Sequence, residues 1–140
     1  MPAAYEKLGI RFQYPENWTL DEIEALEGNN SVTVYTPNGG FWSIMIHPPG
    51  TSPAELADAA LEAMREQYDD LDVESAAETV AGREFVGYDL NFFYLDLTNT
   101  AMLRCFATER ATYVVFYQAD DREFADVGLV FRAITLSLLK

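Results

Sequence analysis

Few residues in this 140-residue chain are of types that carry chemistry on their own. There is one histidine, His47, and one cysteine, Cys105. Any Ser-His-Asp or Cys-His arrangement must therefore use His47 as its base. His47 closes an apolar strand pattern just before Pro48-Pro49-Gly50, and the local sequence offers no further ligand for a metal. It reads as a strand-end histidine without a special role. Cys105 lies in an apolar strand, where burial disfavours the reactive thiolate, and a lone cysteine excludes an internal disulfide framework. The run Asp69-Asp70-Leu71-Asp72-Val73-Glu74 spaces carboxylates like the opening of a calcium loop. Ser75 stands where that loop needs Gly, and Val80-Ala81 lie near where a distal Glu belongs. A solvated helix end and strand start explains these charges better. Gly39-Gly40 belongs to a hairpin signal with no helix opening behind it, so it cradles no phosphate. The expectation is a protein that is not an enzyme and holds no metal or cofactor.

One constellation remains. Asp89, Asn91, Phe93, Arg104, Phe106, Tyr113 and Tyr117, with Val115, fall on the same side of three consecutive strand patterns. With turns centred on Thr98-Asn99 and Arg110-Ala111, Phe93 faces Arg104, and Arg104 faces Tyr117. Stacking of a guanidinium on such rings contributes about 0.5–2 kcal/mol. Two readings follow: a satisfied polar cluster beneath a helix, or a binding surface for a partner or ligand.

The elements that position this constellation are a meander over 83–97, 100–109 and 112–119, rich in Val, Phe, Tyr, Leu and Thr. Its opposite face carries Leu90, Phe92, Tyr94, Leu103, Cys105, Ala107, Val114 and Phe116, a dry seat for a helix. Upstream, 8–14 alternates as a strand ended by Pro15, and Trp18 is placed to fold back into the core. The acidic stretch 20–26 reads as a short charged edge strand, an edge that would support at most a weak homodimer. Strands at 31–36 and 41–47 flank the turn Pro37-Asn38-Gly39-Gly40. Apolar residues on both faces of 41–47 predict a sheet covered on both sides. Ser52 caps a helix over 52–68, with Pro53 at its first position and Glu55 able to close a capping box. Its predicted apolar seam is Leu56, Ala60, Ala63, Met64 and Gln67. A strand over 73–80 leads into the meander. Asp120 or Asp121 caps a final helix over 120–138, whose stripe Phe124, Val127, Val130, Phe131, Ile134 and Leu138 suits the dry face.

The expected fold is α+β, an α/β/α sandwich. Its antiparallel sheet has about six or seven strands, with one helix on each face. The length suggests one domain that buries roughly two-thirds of its unfolded surface. A net charge of −14 argues against nucleic acid and anionic membranes as partners. It fits solubility or adaptation to salt better than a basic protein partner, which it also permits. No apolar run approaches the roughly 20 residues of a membrane span. The first residues lack the basic and apolar regions of a signal peptide, so the cytoplasm is the expected location.

The segment Phe12-Gln13-Tyr14-Pro15-Glu16-Asn17-Trp18 resembles the strand, Pro, x, x, Trp opening of the PsbP-like superfamily. The order of hairpin, helix, long meander and C-terminal helix is similar throughout. The ending Phe131-Arg132-Ala133-Ile134-Thr135-Leu136-Ser137-Leu138 is similar to that family's last turns. The superfamily includes PsbP itself, the Ran-binding import factor Mog and bacterial DcrB-like proteins, among them Eag-type chaperones of apolar helices. The resemblance implies a non-catalytic protein-interaction module, an adaptor or secretion chaperone, whose partner is basic or presents an apolar helix. The alternative is a carrier of a small apolar ligand, in a pocket between the sheet and the 52–68 helix.

Overall fold

The computed structural model describes residues 2–140. A two-stranded sheet pairs β1 (Pro2–Tyr5) with β2 (Phe12–Pro15). The main sheet contains β3 (Thr19–Asp21), β4 (Ser31–Tyr35), β5 (Phe41–His47), β6 (Asp72–Val80), β7 (Arg83–Tyr94), β8 (Leu97–Ala107) and β9 (Thr112–Asp120). It is antiparallel throughout, in the order β3-β4-β5-β9-β8-β7-β6. The helices are α1 (Ile23–Leu26), α2 (Pro53–Gln67) and α3 (Asp121–Ser137). An α/β/α sandwich results, with α2 on one face and α3 on the other.

The caps follow the sequence. The Ser52 hydroxyl accepts from the Glu55 N–H, and Pro53 opens α2. The Asp120 carboxylate accepts from the Glu123 N–H. Each satisfies a donor that the first helical turn leaves without an intrahelical partner.

The two helices sit on the faces opposite to those expected. Ala57 of α2, with Leu56 and Ala60, packs on Leu103, Cys105 and Val114. Leu61 packs on Leu90, Phe92 and Ala101. Phe131 and Ile134 of α3 instead join the core containing Phe106, Tyr113, Val115 and Tyr117. Size matching explains the exchange: small α2 residues approach the small side chains of β8 closely, while the aromatic face needs the longer α3 stripe. The α2 seam is also rotated. Ala57 and Leu61 are buried, whereas Ala63 and Gln67 are exposed.

Both meander turns lie upstream of their expected centres. Tyr94 pairs with Leu97 around Leu95-Asp96, and Ala107 pairs with Thr112 around the Thr108–Ala111 loop. Arg104 therefore lies between Gly87 and Val115, not between Phe93 and Tyr117, and the expected stacking between those two rings is not formed. Both displacements preserve side-chain parity, so every meander residue keeps its face.

Two further segments depart from expectation. Of the acidic stretch 20–26, only Leu20 and Asp21 lie in a strand, β3, and α1 follows it. The 8–14 pattern is interrupted by left-handed backbone at Leu8 and Gly9, with φ of 59° and 75°. That turn returns the chain as the β1–β2 hairpin, whose Tyr5 and Phe12 stack at 5.2 Å. Trp18 does fill the core, edge-on to Phe131 at 5.5 Å.

Candidate functional site

Arg104, at the middle of β8, is the residue around which the sequence candidates were grouped. Its partner across β7 is Gly87, where a Cβ would collide with the Leu103 carbonyl. The glycine lets the two backbones approach. Arg104 itself is 8% exposed. Its Nη2 lies 2.8 Å from Asp89 Oδ1, an ion-pair contact off the line of a hydrogen bond. Its Nε has Glu78 Oε1 at 3.5 Å, and its Nη1 donates to the Leu103 carbonyl at 3.0 Å. Glu78, on β6, also accepts both ends of the Arg132 guanidinium of α3, at 3.0 and 3.1 Å. The fork geometry suits a carboxylate.

Asp89, Arg104, Glu78 and Arg132 thus form one line of alternating charge from β7 through β8 and β6 to α3. The Arg132 hydrogen bond holds the Glu78 carboxyl below its ordinary range, against the opposing effect of burial. Burial is the main reason the nearby Tyr117 phenol is raised. The two carboxylates and two guanidiniums pair with one another and tie α3 to the sheet, although Asp89 Oδ1 and Arg104 Nε form no hydrogen bond and Asp89, Glu78 and Arg132 are partly exposed. Cys105, on the opposite side of β8, is pushed up to about 12 by burial, which leaves it a thiol at neutral pH.

The structure brings Asp89, Arg104 and Tyr117 together. Phe106 and Tyr113 lie further along the same face, their rings 5.2 Å apart, with Phe106 stacked on Phe85 at 4.4 Å. Phe106, Tyr113 and Tyr117 are all buried. Asn91 is exposed and accepts from the Thr100 hydroxyl. Phe93 stands apart from the others. It is 69% exposed, and it is joined at the β7–β8 tip by Tyr94 at 48%, Leu95 at 77% and Leu97 at 53%. Leu95 and Asp96 both have left-handed backbone, with φ of 53° and 62°. A non-glycine residue held there costs of order 1–3 kcal/mol. The tip therefore combines backbone strain with a cluster of large apolar side chains in water.

Sequence reasoning found Phe93 but not Tyr94, Leu95 and Leu97 as its companions, because no Asn-Gly or Asp-Gly pair marks the turn. It also missed a second polar tie. Buried Glu123 accepts from the Thr36 hydroxyl at 2.6 Å and from the Gly40 N–H at 2.9 Å. A Cβ at Gly40 would come within 2.7 Å of Glu123 Oε1 and displace that carboxylate from its hydrogen bonds.

Between α2 and the sheet lies a crevice of about 160 Å³ bounded by Ala57, Asp58, Ala76 and Tyr88. Small-molecule sites typically span about 300–1,000 Å³. A larger cleft, of about 500 Å³, lies at the other side of the sheet, between the C-terminal end of α3 and the β1–β2 and β8–β9 turns. No helix among the described residues is long and apolar enough to cross a membrane.

Comparison with solved structures returns the PsbP-like fold. The chain is similar to CyanoP, the cyanobacterial PsbP of Synechocystis sp. PCC 6803, with TM-score 0.66 and 12% identity, over 97% of this chain and 90% of that one. It is similar to PA94 of Pseudomonas aeruginosa, a protein of unknown function provisionally described as a regulator. There the TM-score is 0.61 and the identity 12%, over 99% and 96% of the two chains. It is also similar to LpqN of Mycobacterium tuberculosis, involved in cell envelope biogenesis, with TM-score 0.53 and 14% identity, over 96% and 86%. No protein-family model matches the chain, and no curated protein sequence does.

Proposed function

We propose that this PsbP-like fold is a non-catalytic protein-interaction module that engages its partner through the tip of the β7–β8 hairpin. The observation that carries the reading is the exposure of four large side chains at one hairpin end: Phe93 and Tyr94 closing β7, Leu95 on the strained Leu95-Asp96 turn and Leu97 opening β8. Exposed apolar side chains gathered at one place mark interaction sites in soluble proteins. Of the residues singled out from the sequence, Phe93 contributes to the contact. Arg104, Asp89 and Tyr117 hold α3 behind it. The mutual pairing of Asp89, Arg104, Glu78 and Arg132 and the burial that keeps Cys105 a thiol support a role without catalysis. The charge of −14 favours a partner whose apolar groove is rimmed by basic residues. An adaptor role in the cytoplasm fits these properties.

The test places a photo-crosslinking amino acid at Leu95 and, separately, at Leu129, which is also exposed but lies alone on α3. The expected result is one discrete crosslinked species from position 95, lost when Phe93 is changed to Ser. Equal crosslinking from both positions, or none from 95, would remove the tip as the contact surface.

A further inference from the structure

The cleft at the C-terminal end of α3 reverses the sign of the molecule. Arg11, Arg83, Arg110 and Lys140 line it, four of the nine cationic side chains in a chain with 23 acids. Glu109 is the one acidic side chain among its lining residues, and Lys140 brings an α-carboxylate along with its ammonium. Arg11 is held by Glu6 at 2.7 Å. Among the described residues, Arg83, Arg110 and Lys140 form no ion pair; Arg83 reaches only the Ala107 carbonyl, at 3.4 Å. Behind the cations, Ile10, Tyr113 and Leu138 supply the apolar part of a lining that is otherwise polar, with Phe106 buried beneath them.

Complementing the end of α3 does not account for this grouping. A helix C-terminus carries about half a negative charge, and its last carbonyls here already accept from the N–H groups of Leu138, Leu139 and Lys140. Three unpaired cations exceed that requirement. On a surface that repels anions generally, a local positive rim over a low-dielectric floor focuses the field on one place. The volume of about 500 Å³ admits a molecule rather than an ion.

We infer that this cleft binds a small amphipathic anion, a carboxylate or sulfonate with an aromatic or medium-length aliphatic body. The head lies among Arg83, Arg110 and Lys140, and the apolar body lies on Tyr113 and Leu138. The site is separate from the hairpin tip and stands or falls independently of it. It takes up the small-ligand reading of the sequence, but on the α3 side of the sheet and with a charged ligand.

The test titrates the full chain with 8-anilinonaphthalene-1-sulfonate, followed by fluorescence at low ionic strength. Decanoate and decanol serve as competitors. The expected result is saturable binding of one probe per chain, displaced by decanoate and not by decanol. The double variant R83Q/R110Q, altered only at exposed positions, should bind about tenfold more weakly or worse. R110Q alone should show part of that loss, and Leu95→Ser none. Absence of saturable binding, equal binding by R83Q/R110Q, equal displacement by decanol, or loss of signal in Leu95→Ser would each overturn the proposal.

Discussion

The two faces of the sheet are covered by helices of similar length but in different ways. Under α3 the core is aromatic: Phe131 contacts Trp18, Tyr117 and Phe124 with centroids 5.2–5.9 Å apart. Polar ties join α3 to five parts of the chain, one of them β8, whose Thr100 hydroxyl donates to the Asp121 carboxylate at 2.7 Å. Glu123 reaches the turn after β4, Trp42 Nε1–H donates to the Thr135 hydroxyl, Arg132 pairs with Glu78, and the Gln13 N–H donates to the Ser137 hydroxyl. Under α2 the core is mainly aliphatic, made of Ala57, Leu61, Leu90, Ala101, Leu103, Cys105 and Val114, with Phe92 and its ring contact to Tyr68 at one end. Its polar ties are the exposed Tyr88–Asp58 bond and, at its two ends, the Thr112 hydroxyl donating to the Thr51 carbonyl and the hydrogen bond between Tyr68 and Gln118. Apolar burial is non-directional, so α2 is held on by area. The hydrogen bonds of α3 are directional and each fits one placement, so α3 is held in register as well as in contact.

Core truncation gives the largest separation between the faces. Phe131→Ala should lower stability by about 3–5 kcal/mol, and Leu61→Ala by about 2 kcal/mol. Urea unfolding followed by circular dichroism measures both, and a larger loss for Leu61→Ala would invert the ranking. The polar ties come next. Glu123→Ala leaves the Thr36 hydroxyl and Gly40 N–H without their carboxylate, a loss of about 1–3 kcal/mol. Ser52→Ala, at the start of α2, should lose about 0.5–1 kcal/mol. Hydrogen exchange at the Gly40 amide should accelerate in the first variant and not in the second. The smallest effect is electrostatic. The Glu78 carboxyl is lowered in the folded state by Arg132. Its contribution is therefore complete above the unfolded carboxylate value of about 4.3 and is lost as pH falls through the folded value. Because the pair is partly exposed, the difference between wild type and Glu78→Gln should stay below about 1 kcal/mol at neutral pH. It should vanish in strong acid; a gap that persists or widens there would mean that Glu78 acts through packing instead.

Face composition and helix caps were legible in the sequence because they depend on local periodicity and on short-range hydrogen bonds. The meander turns were displaced by an even number of positions in pairing register, so Arg104 and Phe93 stayed on one face although they are not opposite each other. The turn at Leu95-Asp96 was not legible, since left-handed backbone at a leucine has no propensity signal. Strand β1 was missed because Pro2-Ala3-Ala4 lacks the residue types that favour strands. The exchange of α2 and α3 was hidden for another reason. Both stripes are apolar, and only the sizes of facing residues across the sandwich decide between them. The cleft was invisible because Arg11, Arg83, Arg110 and Lys140 come together only through tertiary structure.

The pairing of β5 with β9 sets an order on synthesis. Trp42 lies beside Tyr117, 75 residues later in the chain. At roughly 5–20 residues per second, the ribosome needs about 4–15 s to supply that partner. Until then the β3–β4–β5 unit has an open edge carrying Trp42, Ile44 and Ile46, and nothing made so far can close it. The later meander β6 to β9 pairs only with its sequence neighbours until β9 meets β5. The nascent chain therefore passes through a period in which its first half waits, and the acidic residues at 21, 22, 24 and 27 provide charge repulsion between waiting chains.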